Sequence, residues 1–383
     1  GYRVQRPLSP FVRGGAFRAV LTTVPHGAAT EYDGDSATVR LWTIDASTYA
    51  EINTTTRVLT VAVNGVSRVA GVPLWWLRGH RVQWSWEVGN GNLRVRYRYS
   101  TDQGATWTLP FDPFGGTVYT DAAISTASSV VDLYSDSGSS KWFGTGVTSE
   151  EAILTAPAWA LQALPTDVAS VKALFRLDTG YTLSSTTVSA LSGNTATAVT
   201  AFTQATGANQ PVFNATGFGT ARPSIVLDGS DDFMAAGALS EWIAAGAGAV
   251  YLLIKPTAAT AGGAQIWEDA SSQAGLRMVT GPLVRARNDD GAADVADQGT
   301  ALSTAQVVRW RHAGGNVYSR VGATESAGVA SGNTASLVGL NRIGWTATGM
   351  AGHVGAIVAM NTGPTAAEDA AIMSFLNAYG GLP

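Results

Sequence analysis

The sequence contains no cysteine. That excludes a disulfide framework and any thiolate metal site. Lysine is almost missing: Lys141, Lys172 and Lys255 are the only three, against 21 arginines. This imbalance reads first as coding bias, and second as interface chemistry, for which arginine is the better cation. Charged residues are also scarce, at 14% of the chain, where a soluble protein carries about 25%. With a net charge of −4 there is no basic surplus for phosphate contacts, so nucleic acid is not an expected partner. No run of about 18 uninterrupted apolar residues occurs, and hence no membrane insertion by a helix is expected. His26, His80, His312 and His353 stand apart, with no His-x-x-x-His spacing and no adjacent carboxylate, which argues against zinc. A Gly-x-Ser-x-Gly elbow and a phosphate-binding glycine loop are both lacking.

What is present is a long apolar chain. Its 383 residues are 45% hydrophobic and include 12 tryptophans and 44 glycines. That is enough to bury large cores, and the length predicts two or three domains. The chain begins at Gly1 without a methionine, which raises the expectation of a processed chain or one part of a longer product.

Period-two alternation dominates the first third. Val82, Trp84, Trp86 and Val88 fall on one face of a strand, with Arg81, Gln83, Ser85 and Glu87 on the other. Leu93 to Tyr99 repeats the pattern, with Arg94, Arg96 and Arg98 directed outward. Gly89-Asn90-Gly91-Asn92 between these strands reads as a hairpin, as does Val63-Asn64-Gly65-Val66. Further strands are predicted at Phe17–Val24, Ala37–Ile44, Arg57–Val63 and Val130–Tyr134. Ser100-Thr101-Asp102-Gln103-Gly104-Ala105-Thr106-Trp107 matches the Asp-box hairpin of sialidases and other propellers. A propeller would repeat it at a fixed period; one copy predicts a structural hairpin in which Asp102 binds turn amides.

Ala156–Pro165 carries two prolines and breaks the alternation, which places a boundary between domains at 1–156 and 157–383. Beyond it, short strands recur with turn signals every ten or so residues, from Ser224–Leu227 through His353–Met360. Long helices between strands, the mark of a parallel sheet, are missing. A shorter helix is predicted around Ser240–Ala245. The clear helix lies at the C-terminus: Pro364 precedes a Thr365-x-x-Glu368 capping box, and Ile372, Phe375, Leu376 and Tyr379 form one apolar stripe up to Gly380-Gly381.

The order of five short motifs carries a family resemblance over roughly 171–383. These are Phe175-Arg176-Leu177-Asp178, Ser192-Gly193-Asn194, Asn209-Gln210-Pro211, Asp228-Gly229-Ser230-Asp231-Asp232-Phe233 and Tyr379-Gly380. Together they resemble the concanavalin A-like and laminin-G-like jelly rolls of phage tail, fibre and bacterial surface proteins. Asp33 to Trp42 fits an early hairpin of the same kind. The resemblance implies an all-β protein of two tandem concanavalin A-like jelly-roll β-sandwiches with a short C-terminal helix.

Candidate contact residues are few. Trp75 and Trp76, after Pro73, and Trp345, beside Gly344, can stack on a sugar ring or wedge into a partner subunit; they can equally pack in a core. Asp228, Asp231 and Asp232, or Glu31, Asp33 and Asp35, can supply oxygen ligands to calcium, the one cofactor the pattern admits. Asp at tight turns also satisfies local amides without any metal. Laminarinase-type jelly rolls carry a Glu-x-Asp-x-x-Glu strand; Glu31-Tyr32-Asp33-Gly34-Asp35 has the wrong spacing and reads as a loop.

No catalytic residue is assigned, and no enzyme activity is expected. The leading expectation is a structural or attachment protein of a phage virion, tail or cell-surface assembly, located on a virion or outside the cell. Its partners would be other virion or tail proteins and further copies of the chain. The alternative is a carbohydrate-binding, receptor-recognising module that contacts cell-surface glycan; a second alternative is a glycoside hydrolase. Fold alone does not decide among them.

Overall fold

The computed structural model describes residues 4–7, 12–13, 16–23, 38–53, 56, 58–71, 81–89, 92–100, 102, 105–114, 130–136, 164–165, 168, 170–178, 180–193, 201–219, 222–236, 247–258, 264–268, 274–279, 283–288, 295–299, 303–331, 342–344 and 349–382. The protein is all-β with one C-terminal α-helix among these residues. No helix in them is long and apolar enough to cross a membrane. The chain divides into two compact units, Gly1–Gln162 and Ala163–Pro383.

The N-terminal unit holds two antiparallel sheets. One runs in the order β1 (Val4–Pro7), β10 (Val130–Asp136), β4 (Thr38–Asp45), β5 (Thr48–Asn53), β6 (Val58–Val63) and β7 (Val66–Gly71). The other runs β2 (Val12–Arg13), β3 (Ala16–Thr23), β8 (Arg81–Gly89) and β9 (Asn92–Ser100). Strand alternation sets the core: Trp84 and Trp86 are fully buried on one face of β8, and Trp86 meets Trp42 of the first sheet edge-on at 5.8 Å. Arg94 and Arg98 do reach the surface, but Arg96 is only 2% exposed, so the outer face of β9 is covered at its centre. Asn64 and Gly65 take positive φ values of 50° and 81°, the twisted turn expected between β6 and β7. The Asp102 carboxylate gathers the Thr106 N–H and hydroxyl and the Ser100 hydroxyl, so the Asp-box is a turn staple.

In the C-terminal unit the pairings link into a closed, barrel-like array. One run of partners is β15 (Val212–Asn214), β16 (Ser224–Asp228), β28 (Ala351–Met360), β18 (Gly248–Pro256), β23 (Gln306–Ala313) and β24 (Asn316–Val321). β11 (Val171–Arg176) joins β28 end to end with β16, while β25 (Thr324–Glu325) and β26 (Val329–Ala330) extend β24. A second run is β12 (Tyr181–Ser184), β13 (Thr187–Leu191), β14 (Phe202–Thr203), β17 (Phe233–Ala235) and β27 (Arg342–Gly344). It continues through β19 (Ala264–Glu268), β20 (Ala274–Val279), β21 (Leu283–Asn288) and β22 (Val295–Gly299). Between them lies one apolar core that includes Phe175, Phe202, Ile225, Leu227, Trp267 and Trp310.

The helix α1 (Ala366–Gly380) begins at the predicted capping box and ends at Gly381 in the left-handed conformation. Ile372, Phe375, Leu376 and Tyr379 are its buried stripe. Asp369 in its first turn accepts the Tyr251 hydroxyl at 2.7 Å and pairs with Arg309 and Arg320. At the other end the Tyr379 hydroxyl donates to the Pro223 carbonyl at 3.2 Å. The helix therefore covers the side of β18 and β23 that faces away from the core.

Candidate functional site

Trp75, Trp76 and Trp345 lie outside the described residues, as do Glu31, Asp33, Asp35 and the helix predicted around 240–245. Asp228, Asp231 and Asp232 are described, and the structure brings them together on the turn that carries the chain from β16 to β17.

Local chemistry builds this turn. Ile225 and Leu227 of β16 point into the core, which leaves Ser224, Val226 and Asp228 on the opposite side. Asp228 Oδ1 then accepts the backbone N–H groups of Ser230, Asp231 and Asp232 at 2.8, 3.3 and 3.4 Å. Asp232 Oδ2 accepts the Asp228 N–H at 2.9 Å, so each end of the turn holds the other. Gly229 (φ 84°) supplies the left-handed residue. Gly344 (φ 76°) comes in from β27, and a Cβ there would stand 2.4 Å from the Asp232 carbonyl oxygen. Asp232 is thus pinned between its own turn and a strand from far along the chain.

The three carboxylates each offer an oxygen within 4.8 Å of the others. Asp228 is exposed, Asp231 half-buried and Asp232 only 7% exposed. Burial pushes the Asp232 carboxyl up to about 6, and the charges on Asp228 and Asp231 push the same way against the pull of the Asp228 N–H. Among the described residues no cation pairs with any of the three. The other carboxylates of this unit whose side chains the structure describes are committed elsewhere. Asp178 is held by Arg176, Asp297 by Arg285, Glu325 by Arg309 and Arg311, and Asp369 by Arg309 and Arg320. Glu368 caps the helix and accepts the Ser170 hydroxyl.

Such a trio can do three things. It can accept the hydroxyls of a polyol. It can hold a divalent cation through oxygen ligands, which calcium prefers. Near pH 6 it can also present a protonated carboxyl beside ionised ones, the pairing on which acid–base hydrolysis depends.

Next to this turn lies a pair that sequence reasoning missed. The Ser224 hydroxyl meets His353 Nδ1 at 2.9 Å, and His353 stands opposite Val226 on one side and Lys255 on the other. Burial, then the Lys255 charge, lowers the His353 pKa. His353 looked isolated because its neighbours come from other strands; the only local sign was its alternation with buried Val354.

No protein-family model matches the chain, and no curated protein matches it in sequence. Solved structures do resemble it in part. Domain 4 of AbnA, a GH43 extracellular arabinanase from Geobacillus stearothermophilus, in complex with arabinotriose, aligns over 54% of this chain and 98% of its own, at 10% identity and a TM-score of 0.39. A Trypanosoma rangeli sialidase in complex with sialic acid aligns over 84% and 68%, at 11% identity and a TM-score of 0.38. A GH54 α-L-arabinofuranosidase aligns over 51% of each chain, at 12% identity and a TM-score of 0.39. TM-scores near 0.4 mark a partial correspondence, so the site is read from its own residues.

These neighbours correct two expectations. They are glycoside hydrolases or their domains, which overturns the expectation of a non-enzymatic structural or attachment protein of a virion, tail or cell surface. The expectation of no enzyme activity falls with it. The physical reason is that low charge, abundant aromatics and short alternating strands belong to β-rich assemblies and to carbohydrate-active domains alike.

Proposed function

We propose that the C-terminal unit is a carbohydrate-recognising domain, a jelly-roll-like sandwich of the concanavalin A-like type, whose polar contact is the Asp228–Asp232 turn. One observation carries this reading: three carboxylates cluster with no cation paired to them among the described residues, in a unit whose other carboxylates with described side chains are matched by arginines or, for Glu368, by the helix cap and Ser170. Crowding three anions is costly unless a partner relieves it. Sugar hydroxyls donating to carboxylate oxygens would do so, and a calcium ion bridging Asp228, Asp231 and a vicinal diol would do it more strongly. Asp232, held inside, sets the position of the other two.

A second reading is favoured by Asp232 itself. A carboxyl raised to about 6 beside ionised carboxylates has the protonation of a general acid with a neighbouring nucleophile or base. In that case the same turn would cleave the glycan it holds.

Calorimetric titration with an oligosaccharide panel that includes arabinotriose and sialic acid tests both readings, with calcium or with chelator. Binding that is lost in an Asp228→Asn/Asp231→Asn variant of unchanged melting temperature supports the proposal. Binding unaffected by that variant refutes it. Release of reducing ends by the wild type, abolished by Asp232→Asn while binding persists, selects hydrolysis over recognition alone.

A further inference from the structure

Strand β7 closes the six-stranded sheet at one edge, and five of its six residues are exposed. Val69 is 66% and Val66 48% exposed, among the most open large hydrophobic residues described. The two-residue turn fixes which backbone groups face outward. Val63 and Val66 flank Asn64-Gly65 and form a hydrogen-bonded pair, so Arg68 and Ala70 also bond back to β6. Ser67, Val69 and Gly71 then direct their N–H and C=O groups away from the sheet. Among the described residues, nothing stands within 4 Å of where a Cβ on Gly71 would lie, and the Ser67 carbonyl meets only the Arg68 guanidinium, at 3.4 Å. The strand contains no proline or lysine; its one charge, Arg68, stands opposite buried Val61 and so lies on the core-facing side of the edge.

We propose that β7 is a self-association edge that pairs antiparallel with β7 of a second copy, joining two six-stranded sheets into one. The chemistry selects both occupant and register. Only Ser67, Val69 and Gly71 can exchange bonds, so the two-fold axis passes through a pair of like residues from this set or between two of them. Centred on Val69, the register sets Val69 against Val69, Ser67 against Gly71 and Arg68 against Ala70. Apolar then meets apolar, and about six backbone bonds form. Shifted to centre on Arg68, it would set two guanidiniums directly opposite, which is destabilising. A strand that is uncharged but for one arginine, and that places this arginine against alanine in its own reverse, is complementary to itself.

The chain has no cysteine, so single substitutions report the register. In the proposed pairing the Val69 Cα atoms lie about 5.5 Å apart, within disulfide reach, and the Arg68 Cα atoms lie beyond about 7 Å. Val69→Cys should cross-link under mild oxidation, and Arg68→Cys should not. Val69→Pro removes only an outward N–H and should leave folding intact while converting a sedimenting dimer into a monomer. A wild-type chain that sediments as a monomer at its highest soluble concentration overturns the proposal. So does a Val69→Pro variant that remains dimeric, or cross-linking by Arg68→Cys in place of Val69→Cys. If Val69→Pro does not fold, the two cysteine variants still decide the matter.

Discussion

Arg176 grips Asp178 from two residues away, and neither reaches water. Nε lies 3.0 Å from Oδ1 and Nη2 2.8 Å from Oδ2, with side-chain exposures of 2% and 3%. The guanidinium also sits 5.5 Å from the Phe375 ring centre, which links the end of β11 to α1. Breaking such a pair strands a buried charge, whereas removing both partners does not. Asp178→Ala should therefore destabilise the unit by about 3–5 kcal/mol in urea unfolding. The double variant Arg176→Met/Asp178→Leu should lose less. A double variant worse than the single one would show that the pair contributes net stability.

Asp102 acts in the opposite setting, at the surface. The Thr106 hydroxyl, then its N–H, then the Ser100 hydroxyl hold the Asp102 carboxyl well below the usual carboxylate range. A depressed acid stabilises above its ordinary titration range and loses that contribution only as pH falls through the folded value. The hairpin should stay protected in mild acid. Asp102→Ala should speed hydrogen exchange at the Thr106 N–H across that range while leaving glycan binding unchanged. Unchanged exchange would mean that the turn holds without its aspartate.

Much of the fold was legible because alternation is a local signal. Trp84 and Trp86 had to share a face, and the capping box at Thr365 marked a helix start within one turn of sequence. The hairpin of β12 and β13 was not legible: its turn places Ser185 at φ 61°, where glycine or asparagine would have announced it. β22, Val-Ala-Asp-Gln-Gly, has too little apolar alternation to stand out. Arg96 read as surface because side-chain direction is local, while what covers a face is not. The carboxylate turn was visible as residues, but the burial of Asp232 depends on Gly344, more than a hundred positions away in the chain. The pairing of Ser224 with His353 is equally non-local.

The raised Asp232 carboxyl makes stability depend on pH with a definite sign. Its ordinary value is 3.8 and its folded value about 6. The folded state holds the proton more tightly, so this contribution is complete below the ordinary value and is lost as pH rises through the folded one. Asp232→Asn keeps an acceptor for the Asp228 N–H and carries no charge. The variant should match the wild type in mild acid and exceed it at neutral pH, as read from unfolding midpoints across that window. Calcium should raise the wild-type midpoint at neutral pH and lose its effect as protons displace it toward acid. Parallel pH profiles for the two proteins would rule out a raised Asp232. A midpoint indifferent to calcium would leave sugar hydroxyls as the sole partners of the trio.

Gly344 tests whether the geometry of the turn, and not just its charge, makes the site. At φ 76° any other residue is strained, and an added Cβ would meet the Asp232 carbonyl at 2.4 Å and Phe233 Cα at 3.3 Å. Both neighbours are backbone, so the turn itself must move. Gly344→Ala should cost on the order of 1–3 kcal/mol from backbone strain. It should also displace Asp232 and weaken glycan binding more than the stability loss alone explains. Gly299→Ala, whose Cβ would meet nothing within 4 Å, serves as the control and should leave binding intact. Full binding by a folded Gly344→Ala protein would mean that the carboxylates tolerate displacement, and would move the contact surface away from this turn.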